Sequence, residues 1–241
     1  MFYSNKPVKL EDSNAHGLAS KPTTELFIVE GDSAAGAVAG VRAVQHQAVL
    51  PMQGKPLNAL KASAIKVHSN PLFSQLSISL GVGMIDAAQL KTDLLPEQGP
   101  EQLGHLRFAR VNCLFDPDAD GIHCGALMLM FFWRWMRPLL ASGRIHMIRA
   151  PLFEMTAHQT DGELLVAHPD SLALANSIKA SWSSAGATQI KIHHYRGLGS
   201  INADVLARTC VDPVTRQSTV VTTETALAAI SVFAPRARPS V

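Results

Sequence analysis

Two short apolar runs, each closed by carboxylates and a glycine, constrain this chain more tightly than anything else in it. The first is Glu25–Val29 (ELFIV), which runs into Glu30-Gly31-Asp32-Ser33 and then into small residues suited to a helix from Ser33 to Ala43. The second is Ala109–Phe115, which runs into Asp116-Pro117-Asp118-Ala119-Asp120-Gly121. An apolar stretch follows, predicted as one long helix from near Asp120 to the Ser142–Gly143 stop. Strands alternating with helices to about residue 150 imply an α/β domain with a mostly parallel sheet. In an open sheet of that kind the C-terminal strand ends line the binding crevice, so the two acidic clusters converge there.

Between these runs, Ala48–Met52 reads as a second strand, ended by Pro51 and the Gln53–Gly54 turn. Asn58–Lys66 and Asn70–Leu80 read as helices, the latter stopped by Gly81 and Gly83, and Thr92–His105 as a surface loop rich in Pro and Gly. Arg144–Ile148 and Leu152–Met155 are predicted to pair with each other through Ala150–Pro151. Weaker patterns suggest strands at Leu164–Val166 and Gln189–His194, and helices near Ser171–Trp182 and Ala203–Cys210.

Composition narrows the class. At 47% hydrophobic and 17% charged residues, the 241-residue chain is neither disordered nor collagen-like, and it is long enough for one sizeable core plus an appendage. A net charge of +2 is too small for a polycationic coat on nucleic acid, although residues 191–241 are mildly basic. Cys113, Cys124 and Cys210 are odd in number and widely spaced, which fits neither a disulfide framework nor a zinc site. The first residues hold no apolar signal segment. The run from Cys124 to Trp133 is about half of the ~20 residues a membrane span needs, and Arg134 and Arg137 close it. The expectation is a reduced cytoplasmic protein.

Asp116, Asp118 and Asp120, spaced i, i+2, i+4, aim the same way while the chain stays extended, and Pro117 keeps Asp116 out of the helical region. Carboxylates so crowded repel one another unless a cation joins them, and hard oxygen donors point to Mg2+ rather than zinc. An adjacent glutamate with an Asp pair is what two-metal phosphoryl transfer uses. Asp120 stands equally as a cap on the following helix. An EF-hand is excluded because Leu127 occupies the twelfth position where a glutamate belongs. A P-loop is excluded because Ala37-Val38 stand where Lys and Ser/Thr must be. An esterase-like serine hydrolase, with Ser33 as nucleophile and Asp120 and His123 as its partners, is the minor alternative.

Taken in order, EGDSA (Glu30–Ala34), PMQGKPLN (Pro51–Asn58), DPDADG (Asp116–Gly121) and YRGLG (Tyr195–Gly199) resemble the C-terminal half of the B subunit of type IIA DNA topoisomerases. That family comprises gyrase and topoisomerase IV, and its metal-binding module is the TOPRIM domain. The resemblance implies a Rossmann-like α/β TOPRIM domain over residues 23–157. It further implies a flexible lead-in over 1–22, a short insert or linker over 158–188, and a small C-terminal α+β extension, the gyrase-B-like segment, over 189–241.

By resemblance, Glu30 ligates Mg2+ and serves as acid and base toward the ribose 3′-oxygen. Asp116 bridges two metal positions, Asp118 holds the second, and Asp120 supports them. Lys55 and Asn58 match DNA contacts near the scissile phosphate, and Arg196, with the Gly197-Leu198-Gly199 turn, matches a DNA-binding position beside the acidic site. A lysine there suits the phosphate backbone in any case. The implied partners are double-stranded DNA, an A-type subunit carrying the nucleophilic tyrosine and a separate ATPase polypeptide. No membrane is implied, and the location is cytoplasmic, with the nucleoid. ATP belongs only to the complete family enzyme, because its ATPase and transducer regions have no counterpart in this sequence. Tyr3 and Tyr195 do not match the nucleophile, so this polypeptide alone is expected neither to hydrolyse ATP nor to cut DNA.

Several positions depart from the family pattern: Gln53 for Lys/Arg, Ala35 for Gly, Ile122, Cys124 and Gly125 for Ser, Ile and Arg, and Ser200 for Glu. These departures motivate the alternative of a non-catalytic DNA- or partner-binding remnant.

Overall fold

The computed structural model describes residues 9–15, 23–87 and 105–233. The expected loop at Thr92–His105 lies almost wholly outside them. A five-stranded sheet, order β2-β1-β3-β4-β8, forms the centre. Its strands are β1 (Glu25–Glu30), β2 (Gln47–Met52), β3 (Arg110–Phe115), β4 (Ile145–Arg149) and β8 (Ser218–Val220). The first four run parallel and β8 closes the edge antiparallel. A second, antiparallel sheet of order β6-β5-β7 holds β5 (Phe153–His158), β6 (Leu164–Ala167) and β7 (Thr188–His194). This is the α/β TOPRIM architecture expected, with the small second sheet beside it.

Both faces of the central sheet are covered, which is why its strands read as continuous apolar runs rather than alternating ones. Leu26 and Ile28 of β1 face α3 (Pro71–Leu80) and α4 (Ala119–Trp135), in one core with Phe73, Leu76, Phe131 and Trp135. Phe27 and Val29 face α1 (Gly31–Val41) and α7 (Ala203–Leu206), in another core with Val38, Leu198 and Leu206. Pro51 sits inside β2 without breaking it, because β2 is an edge strand of the sheet. Along that edge, part of the expected flexible lead-in is docked: Glu11 and Val49 exchange main-chain hydrogen bonds at 2.9 Å, and Arg107 pairs with Asp12.

Three expectations are corrected. The long helix predicted to Ser142–Gly143 breaks at Met136, and α5 (Arg137–Ala141) follows, because Pro138 supplies no N–H and its ring crowds the preceding turn. Asn58–Lys66 is helical only within α2 (Ala64–His68). The carbonyls of Ala59, Leu60 and Ala62 accept from the Arg134 guanidinium, and Ala59 also from the Trp135 indole, so they are taken from any local helix. The strands predicted to pair across Ala150–Pro151 lie in different sheets, since β4 is flanked by β3 on one side and β8 on the other. The 158–188 stretch contributes β6 to the second sheet and α6 (Leu172–Ser184, capped by Ser171) to its covering beside β5, and α8 (Thr223–Phe233) packs on α4.

Candidate active site

β1 and β3 are parallel neighbours with Val29 beside Leu114, so their C-terminal ends emerge together and set Glu30 next to the turn that begins at Asp116. After β1 the chain reverses through Gly31, at φ +74°, into α1. After β3 it reverses into α4 through a turn that needs glycine for space: a Cβ on Gly121 would overlap the Asp116 main-chain carbonyl. Lys55, from the turn after β2, reaches the same place.

Each carboxylate has its own protein neighbour. Asp116 Oδ1 accepts from the Leu198 main-chain N–H at 2.8 Å. Asp118 caps α4, accepting from the Gly121 N–H at 2.8 Å. The capping role considered for Asp120 thus falls to Asp118. Asp120 Oδ1 instead pairs with Lys55 Nζ at 2.7 Å. Glu30 Oε1 lies 3.6 Å from the Cys124 thiol. With these partners, among the described residues no three His, Cys, Asp or Glu side chains converge closely enough to hold an ion as they stand.

The charges still act on one another. Burial, reinforced by repulsion from Asp116, Asp118 and Asp120, pushes the Glu30 carboxyl above its ordinary range. Burial, with Asp118 beside it, likewise raises Asp116 against the opposing pull of the Leu198 N–H. Lys55 holds the Asp120 carboxyl low, and Asp120 raises the Lys55 ammonium. Burial, with Glu30 beside it, pushes the Cys124 thiol to about 12, so it stays protonated and donates.

The residues fit a hard dication. All four candidate donors carry carboxylate oxygens, and Glu30 Oε2 is buried without a hydrogen-bond partner. Such an orphan, beside three further negative groups, is what a divalent cation would satisfy.

The remaining expected contacts are less uniform. Asn58 Oδ1 accepts from the main-chain N–H groups of Leu60 and Lys61 at 3.2 Å, closing a local turn. Arg196 is exposed, and its main-chain N–H donates to Ser200 Oγ at 2.9 Å. Gln53 donates to Asp32, which also holds Lys9 at 2.8 Å. Ala35 lies inside α1 with no positive φ, so the loss of glycine there causes no strain. Ser33 Oγ abuts Gly199 and Asp120 is occupied by Lys55, so the esterase-like arrangement is not assembled. Sequence reasoning missed Cys124, Lys9, Glu154 and the main-chain donor of Leu198 as parts of this neighbourhood. Cys124, one turn beyond Asp120 on a helix facing Glu30, was the one legible in advance. A cavity of about 580 Å3 adjoins Asp116, floored by Leu129 and Met147, and Gly125 forms part of its wall.

A parallel sheet with a glutamate at the end of one strand and an Asp-x-Asp-x-Asp-Gly turn after its neighbour defines an α/β domain with an acidic crevice at its C-terminal strand ends. The chain belongs to the Toprim domain family, whose match spans residues 25–150, from the start of β1 to the link after β4. It is similar to the DNA gyrase B subunit of Thermotoga maritima, 34% identical over 228 residues that cover 94% of this chain and 32% of that protein. The same protein from Staphylococcus epidermidis is 31% identical over 236 residues, covering 95% of this chain. That from Staphylococcus aureus is 32% identical over 233 residues, covering 94%. The chain spans about a third of the length of these curated relatives.

Proposed function

We propose that the chain is the Mg2+-dependent TOPRIM part of a type II DNA topoisomerase, binding double-stranded DNA and completing a cleavage–religation site with an A-type subunit. The observation that carries this reading is the placement of Glu30, with its unpartnered buried oxygen, next to the Asp116–Asp120 turn at the ends of two adjacent parallel strands. Similarity to the DNA gyrase B subunit along nearly the whole chain supports it. Glu30, Asp116, Asp118 and Asp120 are the residues that would hold Mg2+. The bound ion supplies positive charge to the phosphate oxygens as charge develops on them. Glu30, set beside the Asp116–Asp120 turn, is the carboxyl the family resemblance assigns to give a proton to the ribose 3′-oxygen and take it back. Lys55 and Arg196 offer cations to the DNA backbone, and Asn58 a neutral donor through its Nδ2, since its turn engages only Oδ1.

In this reading the partner subunit supplies the nucleophilic tyrosine, and ATP turnover belongs to a separate ATPase region of the complete enzyme. The chain works in the cytoplasm, on the nucleoid. No helix among the described residues is long and apolar enough to cross a membrane. The test is DNA cleavage and relaxation by the chain reconstituted with an A-type subunit and an ATPase region. Glu30→Gln and Asp116→Asn should each abolish both activities. Undiminished relaxation by either variant would overturn the assignment.

One observation favours a second reading, a non-catalytic DNA- or partner-binding remnant: each of the four carboxylates already has a neighbour within the protein. That reading requires DNA binding indifferent to EDTA, whereas the first requires binding that Mg2+ strengthens.

A further inference from the structure

The YRGLG stretch is built into the acidic site from outside the Toprim match, and its attachment is unusually complete. Tyr195 is buried at 3% exposure in the core beneath α1. Its main-chain N–H donates to the Leu152 carbonyl at 3.0 Å, and its hydroxyl donates to Glu154 Oε2 at 2.7 Å. The residue is therefore held at both ends, each time by the segment that opens the second sheet. Two residues on, Gly197 takes φ +152°, and an added Cβ would stand 2.7 Å from Asp116 Oδ2. Leu198 then donates its N–H to Asp116 Oδ1. A Cβ on Gly199 would stand 2.5 Å from Ser33 Oγ, so the turn is wedged between the acidic turn and α1. Ser200 closes it, its Oγ accepting from Arg196 N–H and donating to the Gly197 carbonyl at 2.7 Å.

We propose that Glu154, Tyr195 and the Gly197–Ser200 turn form a latch that holds the Asp116 carboxylate in one orientation, and that cation binding at the acidic cluster depends on that hold. Glu154 and Tyr195 are positioning residues and touch neither cation nor DNA. The proposal rests on the reading of the acidic cluster as a Mg2+ site. The physical argument has two parts. Asp116 follows directly on β3, so its main chain is fixed, but its side chain is free to turn unless something holds one oxygen. The Leu198 N–H does this, leaving Oδ2 beside Gly197, where only the missing side chain leaves it space. The N–H can be so placed only while the turn is anchored, and the Tyr195–Glu154 bond is the side-chain anchor that, with the Tyr195 N–H on the Leu152 carbonyl, ties the turn to the second sheet. Hydrogen-bond partners that orient ligating carboxylates typically change metal affinity about tenfold or more when removed.

The test uses the full chain and two readouts. Calorimetric titration with Mg2+ should give saturable binding to wild type and none to Asp116→Asn. Tyr195→Phe and Glu154→Ala should each bind more weakly, by up to about tenfold, the loss expected for a direct orienting partner. Glu154→Gln should restore affinity, because its amide oxygen still accepts from the tyrosine hydroxyl. Melting in EDTA identifies any variant that has simply unfolded. Independently of any cation, the Leu198 amide should exchange with solvent faster in Tyr195→Phe than in wild type. If wild type binds Mg2+, Asp116→Asn does not, and Tyr195→Phe and Glu154→Ala bind as wild type does, the latch is overturned while the Mg2+ reading stands. If wild type binds no Mg2+, the Mg2+ reading and the latch fall together.

Discussion

Lys55 Nζ lies 2.7 Å from Asp120 Oδ1, so the lysine expected to meet the DNA backbone is held by the acidic turn itself. Both side chains are substantially exposed, and ion pairs of that kind are weak and screened by salt. A phosphate, or a cation arriving at the carboxylates, can therefore displace one partner easily. Lys55→Met should weaken DNA binding about equally across sequences and reduce the salt slope of the binding constant by about 1. Asp120→Asn should tighten DNA binding in EDTA. Fluorescence anisotropy across a salt series checks both, and an unchanged slope for Lys55→Met would remove the lysine from the interface.

The repulsion at Glu30 and Asp116 makes a prediction about the protein without cation. Both carboxyls are raised in the folded state, so their contribution to stability is fully present below the ordinary carboxylate values and lost as pH rises through the raised ones. Glu30→Gln and Asp116→Asn should each melt higher than wild type near pH 7 in EDTA, with the gap closing below pH ~4. The opposite order of melting temperatures at pH 7 would show that the cluster is not strained.

Mg2+ should raise the melting temperature of wild type by mass action, an effect worth about 2.7 kcal/mol at a hundred times the dissociation constant. The rise should vanish in Asp116→Asn. A melt indifferent to millimolar Mg2+ would favour the remnant reading.

At the opposite end of the sheet, Glu25 is 2% exposed and receives Arg216 on both oxygens, with Gln47 at 2.8 Å and Arg110 at 3.7 Å. Burial pushes its carboxyl up, but Arg216, Gln47 and Arg110 outweigh that and bring it below its ordinary value. This stability is present above the ordinary glutamate value and is lost as pH falls through the lowered one. Glu25→Ala strands a buried guanidinium and should cost about 3 kcal/mol or more by urea unfolding at pH 7. The penalty should shrink in acid.

Gly121→Ala should reverse the usual benefit of alanine in a helix. An added methyl overlaps the Asp116 carbonyl, so the variant should lose about 2 kcal/mol or more and bind Mg2+ poorly. A variant as stable as wild type would mean that the acidic turn tolerates a different path.

The parts legible in the sequence were those written locally. Glu25–Val29 and Ala109–Phe115 are apolar because both faces of β1 and β3 are covered, and each ends on the carboxylates that the sheet then sets side by side. Asn70 and Gly81 bracket α3 as cap and left-handed stop. What escaped was set by distant partners. The separation of β4 from β5 follows from Ser218–Val220, three exposed residues some seventy positions away, occupying the β4 edge. The missing turns of helix after Asn58 depend on Arg134 and Trp135 of α4. Within the site, the residue types announced a cation cluster, but not that Lys55, Leu198 and Cys124 would each claim one carboxylate.

The pairing of Glu25 with Arg216 joins residues 191 positions apart. At roughly 5–20 residues per second of synthesis, β1 waits about 10–40 s for the guanidinium that neutralises its first residue. Over the last third or so of that interval the β4 edge, later occupied by β8, also has no strand beside it and invites pairing with other chains. The nascent protein is thus most exposed to aggregation after its Toprim strands have emerged, and a chain cut short before Arg216 would remain in that condition.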